Sequence, residues 1–487
     1  MKTHDGRADM TNFEMDLFDT RMMRPTEKED GDGCCSGRRN HRVVGPACLP
    51  ITIVALLIIT LVFVPLFNDD DLEAADKFLL QNICTKSCDV ELTETMPSGL
   101  VYKTGPTHPQ TYKTWVDLIN RAEKYLDIAQ MYWELNSTEY PTAAYGREVF
   151  EALIRASRDR GVKLRITQSP PTKQFPQTDT QWLEEQGLAK VRSVDMTRLV
   201  GAGILHTKFL VSDMQHVYVG SANGDWKSLA EVKEMGIVAR NCPCLATDVY
   251  RVFAVYWRLG DKDAKVPAQW PISFRTPYNA EKPMEVLYNN KKMSTFVSSS
   301  PAGFNPKGRE HDLASIVGVI RTANRTVSIS VMDYLAQTIY LKSNIFWAPI
   351  DDAIRDAAFR GVHVRMLLSR WNHTKPEMDA YARSLLAFNG VLNATKRPTD
   401  HGLIEVKHFV VPATKEQARI PFARVNHAKF MVTEDVAYIG TSNWSGDYFI
   451  NTAGVAVISR KAENGTIVED LQAVFDRDWE SEYASFL

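Results

Sequence analysis

The chain carries no surplus of positive charge: 57 Lys and Arg are offset by 59 Asp and Glu, for a formal net charge of -2 over 487 residues. Proteins that hold nucleic acid by bulk phosphate neutralisation are basic. Histone-like or coat-like binding is therefore excluded, and any site for a polyanion has to be local. Low-complexity tracts are missing as well. With 44% hydrophobic and 24% charged residues, the composition is globular rather than disordered. The length allows one large or two ordinary domains with real cores.

Charge is absent altogether between Val43 and Phe67, and Ile51 to Val64 is almost purely aliphatic. About 20 apolar residues cross a bilayer as a helix, so the run is long enough; a cleaved signal peptide or a buried core helix are the alternatives. Roughly forty polar residues ahead of it are too many for a signal n-region. Arg38, Arg39 and Arg42 precede the run and Asp69, Asp70 and Asp71 follow it, which sets the N-terminus in the cytosol. The expected topology is a cytosolic tail at 1–42, a transmembrane signal anchor at 43–67 and a lumenal remainder, that of a type II membrane protein.

Cys34 and Cys35 then face the cytosol beside the membrane, open to palmitoylation or left as plain thiols, and Cys48 lies at the edge of the span. Cys84, Cys88, Cys242 and Cys244 fall on the lumenal side, where disulfides form and persist. Two close-spaced pairs are also a zinc pattern, but an oxidising lumen favours two long-range bridges. Asn136, Asn324, Asn372, Asn393 and Asn464 each open an Asn-X-Ser/Thr sequon after the span, as glycosylation sites in a lumenal domain would.

The region after the span repeats itself. GVKLRITQS (161–169), LHTKFLVSD (205–213) and VYVGSANGDW (217–226) recur as GVHVRMLLSR (361–370), NHAKFMVTE (426–434) and AYIGTSNWSG (437–446). The β-branched segments read as buried strands, with helices at 147–160 and 349–360 and further strands at 125–135 and 326–335. Such alternation predicts an α/β sandwich in two related halves, 68–282 and 283–487, joined near 260–285. A period of about 220 residues is too long for a solenoid; it marks a duplicated domain.

Each half carries the same polar set. His206 and Lys208 are two apart on a predicted strand and so share a face, as do His427 and Lys429. An acid follows seven residues after each histidine, Asp213 and Glu434, and then come Gly220-Ser221-Ala222-Asn223 and Gly440-Thr441-Ser442-Asn443. Two imidazoles can serve as a nucleophile and a general acid, while two ammonium groups and the carboxamides of Asn223 and Asn443 surround a tetrahedral anion. That suits phosphoryl transfer through histidine to water. A zinc site is disfavoured, because the lysines would repel a cation and no Cys or third His accompanies either pair; no metal or cofactor is expected. Asn443 also opens a sequon, but its place in the phosphate pocket argues against a glycan. Trp226, Trp444, Tyr132, Trp133 and Tyr334 lie near the motifs, where stacking on bases competes with core packing.

These strings resemble the duplicated HxK(x4)D motif of the phospholipase D superfamily, each copy followed by its G-[ST]-x-N strand. ILHTKFLVSD, GSANGDWKSLAEVKEMG, NCPCLA, ARIPFARVNHAKFMVTE and GTSNWSGDYF are similar to the type II endolysosomal branch, the phospholipase D three/four group. The resemblance covers the whole region after the span. It implies a lysosomal 5′-to-3′ exonuclease acting on single-stranded DNA and RNA at acidic pH, reached through the endoplasmic reticulum and Golgi, with release of a soluble lumenal form. A phospholipase or transphosphatidylase acting on phospholipids with the same site is the alternative. It also implies nested disulfides, Cys84 with Cys244 and Cys88 with Cys242; a homodimer is expected as well. Glu434 departs from the usual Asp. The family orients its nucleophile with a carboxylate placed shortly after the Asn strand. Glu234 fits in the first half, and Thr452 is taken as its counterpart in the second. On that basis His206 is expected to be the nucleophile and His427 the proton donor; the expected catalytic set is His206, Lys208, Asp213, His427, Lys429 and Glu434, with Asp213 and Glu434 holding the motif together rather than moving a proton.

Overall fold

The computed structural model describes residues 88–341, 343–395 and 402–487. The tail, the expected span and Cys34, Cys35, Cys48 and Cys84 lie outside the described residues. Among the described residues, no helix is long and apolar enough to cross a membrane.

Two large mixed sheets account for the two sequence halves. The first runs in the order Asp89–Thr95, Glu234–Arg240, His216–Gly220, Phe209–Ser212, Tyr125–Ala129, Lys163–Gln168, Ala189–Ser193. The second repeats its centre as Gly454–Lys461, Val436–Gly440, Lys429–Thr433, Thr326–Val331, His363–Ser369 and Leu403–Phe409, with Met284–Tyr288 and Lys291–Ser300 added at one edge. Alternation along each strand decides which core a side chain joins. In Lys429–Thr433, Phe430 and Val432 enter the core shared with the first half, whereas Met431 enters the core of the second half alone. The shared core unites Leu92, Phe209, Val219 and Ile237 with Ile439, Val455 and Val457, and the helices Pro243–Leu259 and Ile467–Trp479 add to it. Each sheet's other face is covered by its own helices. Ala144–Arg158 buries Val149, Phe150, Leu153 and Ala156, one stripe at helical spacing, and Pro349–Phe359 does the same with Ile350, Ala353, Ile354 and Ala357.

Cys88 and Cys242 are joined by a disulfide 154 residues apart in sequence, tying the first strand to the start of helix Pro243–Leu259. Cys244 is disulfide-bonded too; Cys84, its expected partner, lies outside the described residues. Asn136, Asn324, Asn372, Asn393 and Asn464 are all exposed, while Asn443 is 1% exposed.

The acids of the two motifs prove to be clamps. Asp213 accepts the backbone N–H groups of Glu123 (2.6 Å), Lys124 (3.0 Å) and Tyr125 (2.7 Å). Glu434 does the same for Asn324 (2.5 Å), Arg325 (3.3 Å) and Thr326 (3.1 Å). Each stands at the far end of its strand, about 16 Å along an extended chain from its lysine. Neither belongs in a catalytic set. The Asp-to-Glu difference follows from backbone shape: Asp213 sits in the left-handed region at φ 52°, where a short polar side chain is tolerated, and Glu434 does not.

Partial burial pushes the Glu434 carboxyl up, but the N–H donors of Asn324 and Thr326 outweigh it and hold the group below its ordinary value. A depressed folded-state pKa stabilises above the unfolded value, and that stability fades as pH falls through the folded one. Glu434→Gln should therefore melt below the parent at pH 7, with the gap closing below about pH 4. Thermal melts across pH check this; a gap that widens on acidification would contradict the clamp.

Candidate active site

Neither histidine lies within its motif's strand. Strand pairing begins at Phe209 in one half and at Lys429 in the other, and each histidine instead pairs its backbone across to the opposite half. The His206 N–H donates to the Ala453 carbonyl at 2.9 Å, and the His427 N–H donates to Lys233 at 2.8 Å. Standing ahead of the parent strand, by three residues in the first half and two in the second, is what carries both imidazoles to the seam. Their ring centroids are 6.5 Å apart. Gly220 and Gly440 end the return strands, and a Cβ there would meet Tyr218 Oη at 2.4 Å or Tyr438 Oη at 2.5 Å.

Both histidines, with Asn223 and Glu234, line a cavity of about 280 Å³. Lys208 and Lys429 are buried behind the rings. Each ammonium turns back to the carbonyl of its own histidine, at 2.7 Å from Lys208 and 2.5 Å from Lys429. Asn443 is also buried, its Nδ2 donating to Asp333 Oδ2 (3.2 Å) and Tyr448 Oη (3.1 Å). Sequence reasoning passed over Asp333, Phe175, Tyr340, His373 and Phe422, all of which line the cavity. Of the five aromatics near the motifs only Tyr132 reaches it; Trp226 and Trp444 are core residues.

Glu234 does not orient His206. Its carboxylate meets His427 Nδ1 at 2.9 and 3.0 Å, across 193 residues of sequence. The cross-half pairing places it there, because Glu234 follows Lys233, whose carbonyl already holds the His427 backbone. Nor is Thr452 its counterpart. The carbonyl of Ala453 holds His206 as that of Lys233 holds His427, so Gly454 occupies the matching position. A Cβ on Gly454 would meet Ser442 Oγ at 2.2 Å. One histidine thus has a buried carboxylate and the other a glycine. Counting was the available signal: Glu234 and Gly454 each lie eleven residues beyond their asparagine.

The electrostatics follow. Burial, then Lys208, Lys429 and His427, holds the His206 imidazole well below its ordinary value. Burial also lowers His427, but there Glu234 opposes it. Burial and the neighbouring Lys429 hold Lys208 well down, and burial brings Lys429 to about 7 against the pull of Glu234 and Asp333. Burial raises Asp333 to about 6, opposed by Lys429 and Lys375. Acidification therefore charges His206 and Lys429 and discharges Asp333. All three changes favour a bound anion.

Two imidazoles, two ammonium groups and a carboxamide around one small cavity define a phosphodiester-transfer site of the duplicated histidine–lysine class. A family profile described as "PLD3/4, PLD-like domain" matches residues 103–414. "Probable phospholipase D F09G2.8" of Caenorhabditis elegans is 50% identical over 502 residues, 100% of this chain and 89% of that one. The "5'-3' exonuclease PLD3" of Homo sapiens is 43% identical over 407 residues, 82% of this chain and 81% of that one. A solved phosphatidylserine synthase of Haemophilus influenzae Rd KW20 shares the fold, with TM-score 0.54 at 10% identity over 85% of this chain and 91% of that one. The chain belongs to the PLD3/4, PLD-like family.

Replacing the carboxylate by its neutral isostere isolates its charge. Glu234→Gln should lower kcat by about 100-fold or more, the scale of losing one preorganised electrostatic partner, and should move the pH–rate profile, since His427 loses the group that opposes its burial. A rate within about threefold of the parent, with an unmoved profile, would show that the pair is structural.

Proposed function

We propose that the protein is a 5′-to-3′ exonuclease that hydrolyses single-stranded DNA and RNA through a phosphohistidine. The observation that carries this reading is the seam cavity itself: two imidazoles at its base, one of them held by Glu234, above two buried lysines. Relatives 42–44% identical to this chain carry the name 5'-3' exonuclease. A single strand can lower a phosphate onto rings that are only 5% and 8% exposed, whereas a duplex is too broad to do so.

The carboxylate decides the roles, and it reverses the expectation drawn from sequence. With Nδ1–H donated to Glu234, the His427 ring presents its Nε2 lone pair to the cavity. When Nε2 forms a bond to phosphorus, the ring becomes cationic, and a buried carboxylate already waits beside it; an interaction that strengthens along the reaction is the kind that accelerates it. His206 has no such partner and gives its proton up readily. It protonates the leaving oxygen as the P–O bond breaks. In the second step water attacks phosphorus, its proton passes to His206, and the P–N bond opens. Lys208 and Lys429 supply positive charge from behind, and Asn223 stands at the cavity wall to donate to a phosphate oxygen.

Residues 43–67 are part of the same proposal: a signal anchor that holds a lumenal catalytic domain, sorted through the endoplasmic reticulum and Golgi to the lysosome. The uncharged run, the exposed sequons at Asn136, Asn324, Asn393 and Asn464 and the Cys88–Cys242 bridge support it. One chain supplies both halves of the site, so the reaction requires no second copy.

Digestion of a 5′-labelled single strand in EDTA should release label from the 5′ end, with single-turnover rates rising as pH falls from 8 towards 5. His206 must be protonated, and its pKa is depressed. A rate that rises towards pH 8 would overturn the acid assignment, and turnover of phospholipid without turnover of nucleic acid would overturn the substrate.

A denaturing quench in alkali, where the P–N bond survives, followed by peptide mapping should find the nucleotide's phosphate joined to His427. In His206→Ala the adduct should still form from a substrate whose leaving group needs no proton. Phosphate on His206 would return the roles to the sequence-based assignment.

A further inference from the structure

A second cavity, of about 480 Å³, opens beside the catalytic one and shares Trp371, His373 and Phe422 with it. Arg370, Arg419 and Arg424 line it and no acidic side chain does. The three arginines differ. Arg424 is buried and committed, holding Glu231 at 2.8 Å and the Ser98 carbonyl at 2.8 Å. Arg370 shares Asp379 at 2.6 Å in a half-exposed pair. Arg419 is exposed, and among the described residues its guanidinium has no partner.

Phe422 stands at the junction of the two cavities, 40% exposed, with its ring stacked on His373 at 4.9 Å between centroids and 18° between planes. Its backbone lies at φ 56°, and two residues on Arg424 lies at φ 57°. The left-handed region is strained for large side chains and persists only where the surroundings impose it. Here they do: the Arg424 guanidinium is bound to Glu231 of the first half and to the carbonyls of Ser98 and Pro412. A buried ion pair between the halves thus holds a strained turn, and the product of the strain is an exposed aromatic ring beside the catalytic histidines.

We propose that this groove carries the strand on the 3′ side of the cleaved phosphate, with Phe422 stacking on the first base beyond it and Arg419 and Arg370 binding the phosphates that follow. The inference rests on the exonuclease reading. An enzyme that works from a 5′ end holds little on one side of the scissile bond and the whole remaining strand on the other. The larger opening, lined by arginines and free of acids, is where a polyanion of that length fits. The ring supplies a stacking face for any base, and the guanidinium groups are suited to phosphate.

The test is a length preference: the ratio of kcat/KM for a single strand of about twelve nucleotides to that for the methyl ester of a nucleoside 3′-phosphate, which has no base beyond the scissile phosphate. Phe422→Ala should lower this ratio about tenfold, or about 1.4 kcal/mol. Phe422→Trp, which keeps a stacking face, should restore it. Phe422→Gly suits the left-handed backbone better, so it should melt no lower than Phe422→Ala yet lose the preference equally. Arg419→Gln should lower the ratio and reduce the slope of log affinity against log salt by about 1. A ratio within twofold of the parent in all of these variants, or an equal fall on both substrates, overturns the groove while leaving the exonuclease intact. A parent that cleaves phospholipid but not the single strand overturns both.

Discussion

One hydrogen-bonded pair across the seam, Glu234 with His427, organises the active site. It joins a strand of the first half to the catalytic loop of the second. It fixes one ring's tautomer, and it supplies negative charge in a pocket that otherwise buries two lysines. Remove the carboxylate and a set of cations would be left in a low-dielectric interior with only Asp225 and Asp333 in opposition among the described residues, a costly arrangement. The position has a scaffold of its own. Lys233, next in sequence and 0% exposed, pairs with Asp478 at 2.7 Å. Asp478 meets Arg477 at 3.0 Å, and Arg477 holds Glu94 at 2.8 Å. The first strand, the last long helix and the active-site strand are thereby linked through buried charge.

Duplication built the site and asymmetry made it useful. The two halves bring matching histidines, lysines, asparagines and clamping acids, and the backbone bonds that carry His206 and His427 to the seam are the same. What differs are positions around the rings. Glu234 is matched by Gly454, and Tyr132, whose hydroxyl donates to Asp225 at 2.6 Å, is matched by Asp333. Two identical imidazoles would compete for one role. A single carboxylate gives each a distinct environment, which is what a nucleophile and an acid need.

The motif was legible because it is local. His-X-Lys, the acid that ends its strand and the Gly-Ser/Thr-X-Asn return follow strand alternation and hairpin chemistry, and their recurrence in order exposed the duplication. The clamping function of Asp213 and Glu434 was legible too, since an acid at a strand end has neighbouring N–H groups to accept. Glu234 was recognised as important but given the wrong ring. Its partner depends on which half packs over which, and no spacing within VKEMGIV encodes that. Phe422, His373 and Asp333 were invisible for a related reason: they sit on loops or at strand ends with no periodic signal, and only packing gathers them.

The sequence by itself determined the chemical inventory, the two-half α/β architecture and the strands that present each motif, because 2.0- and 3.6-residue periodicities act over a few neighbours. Tertiary structure alone decided the pairing of Glu234 with His427, the burial that depresses His206, and the strained turn that aims Phe422 at the cavity. Each of these depends on contacts between the halves, where the geometry of one sheet against the other sets the distances and the exclusion of water sets the strength of every charge.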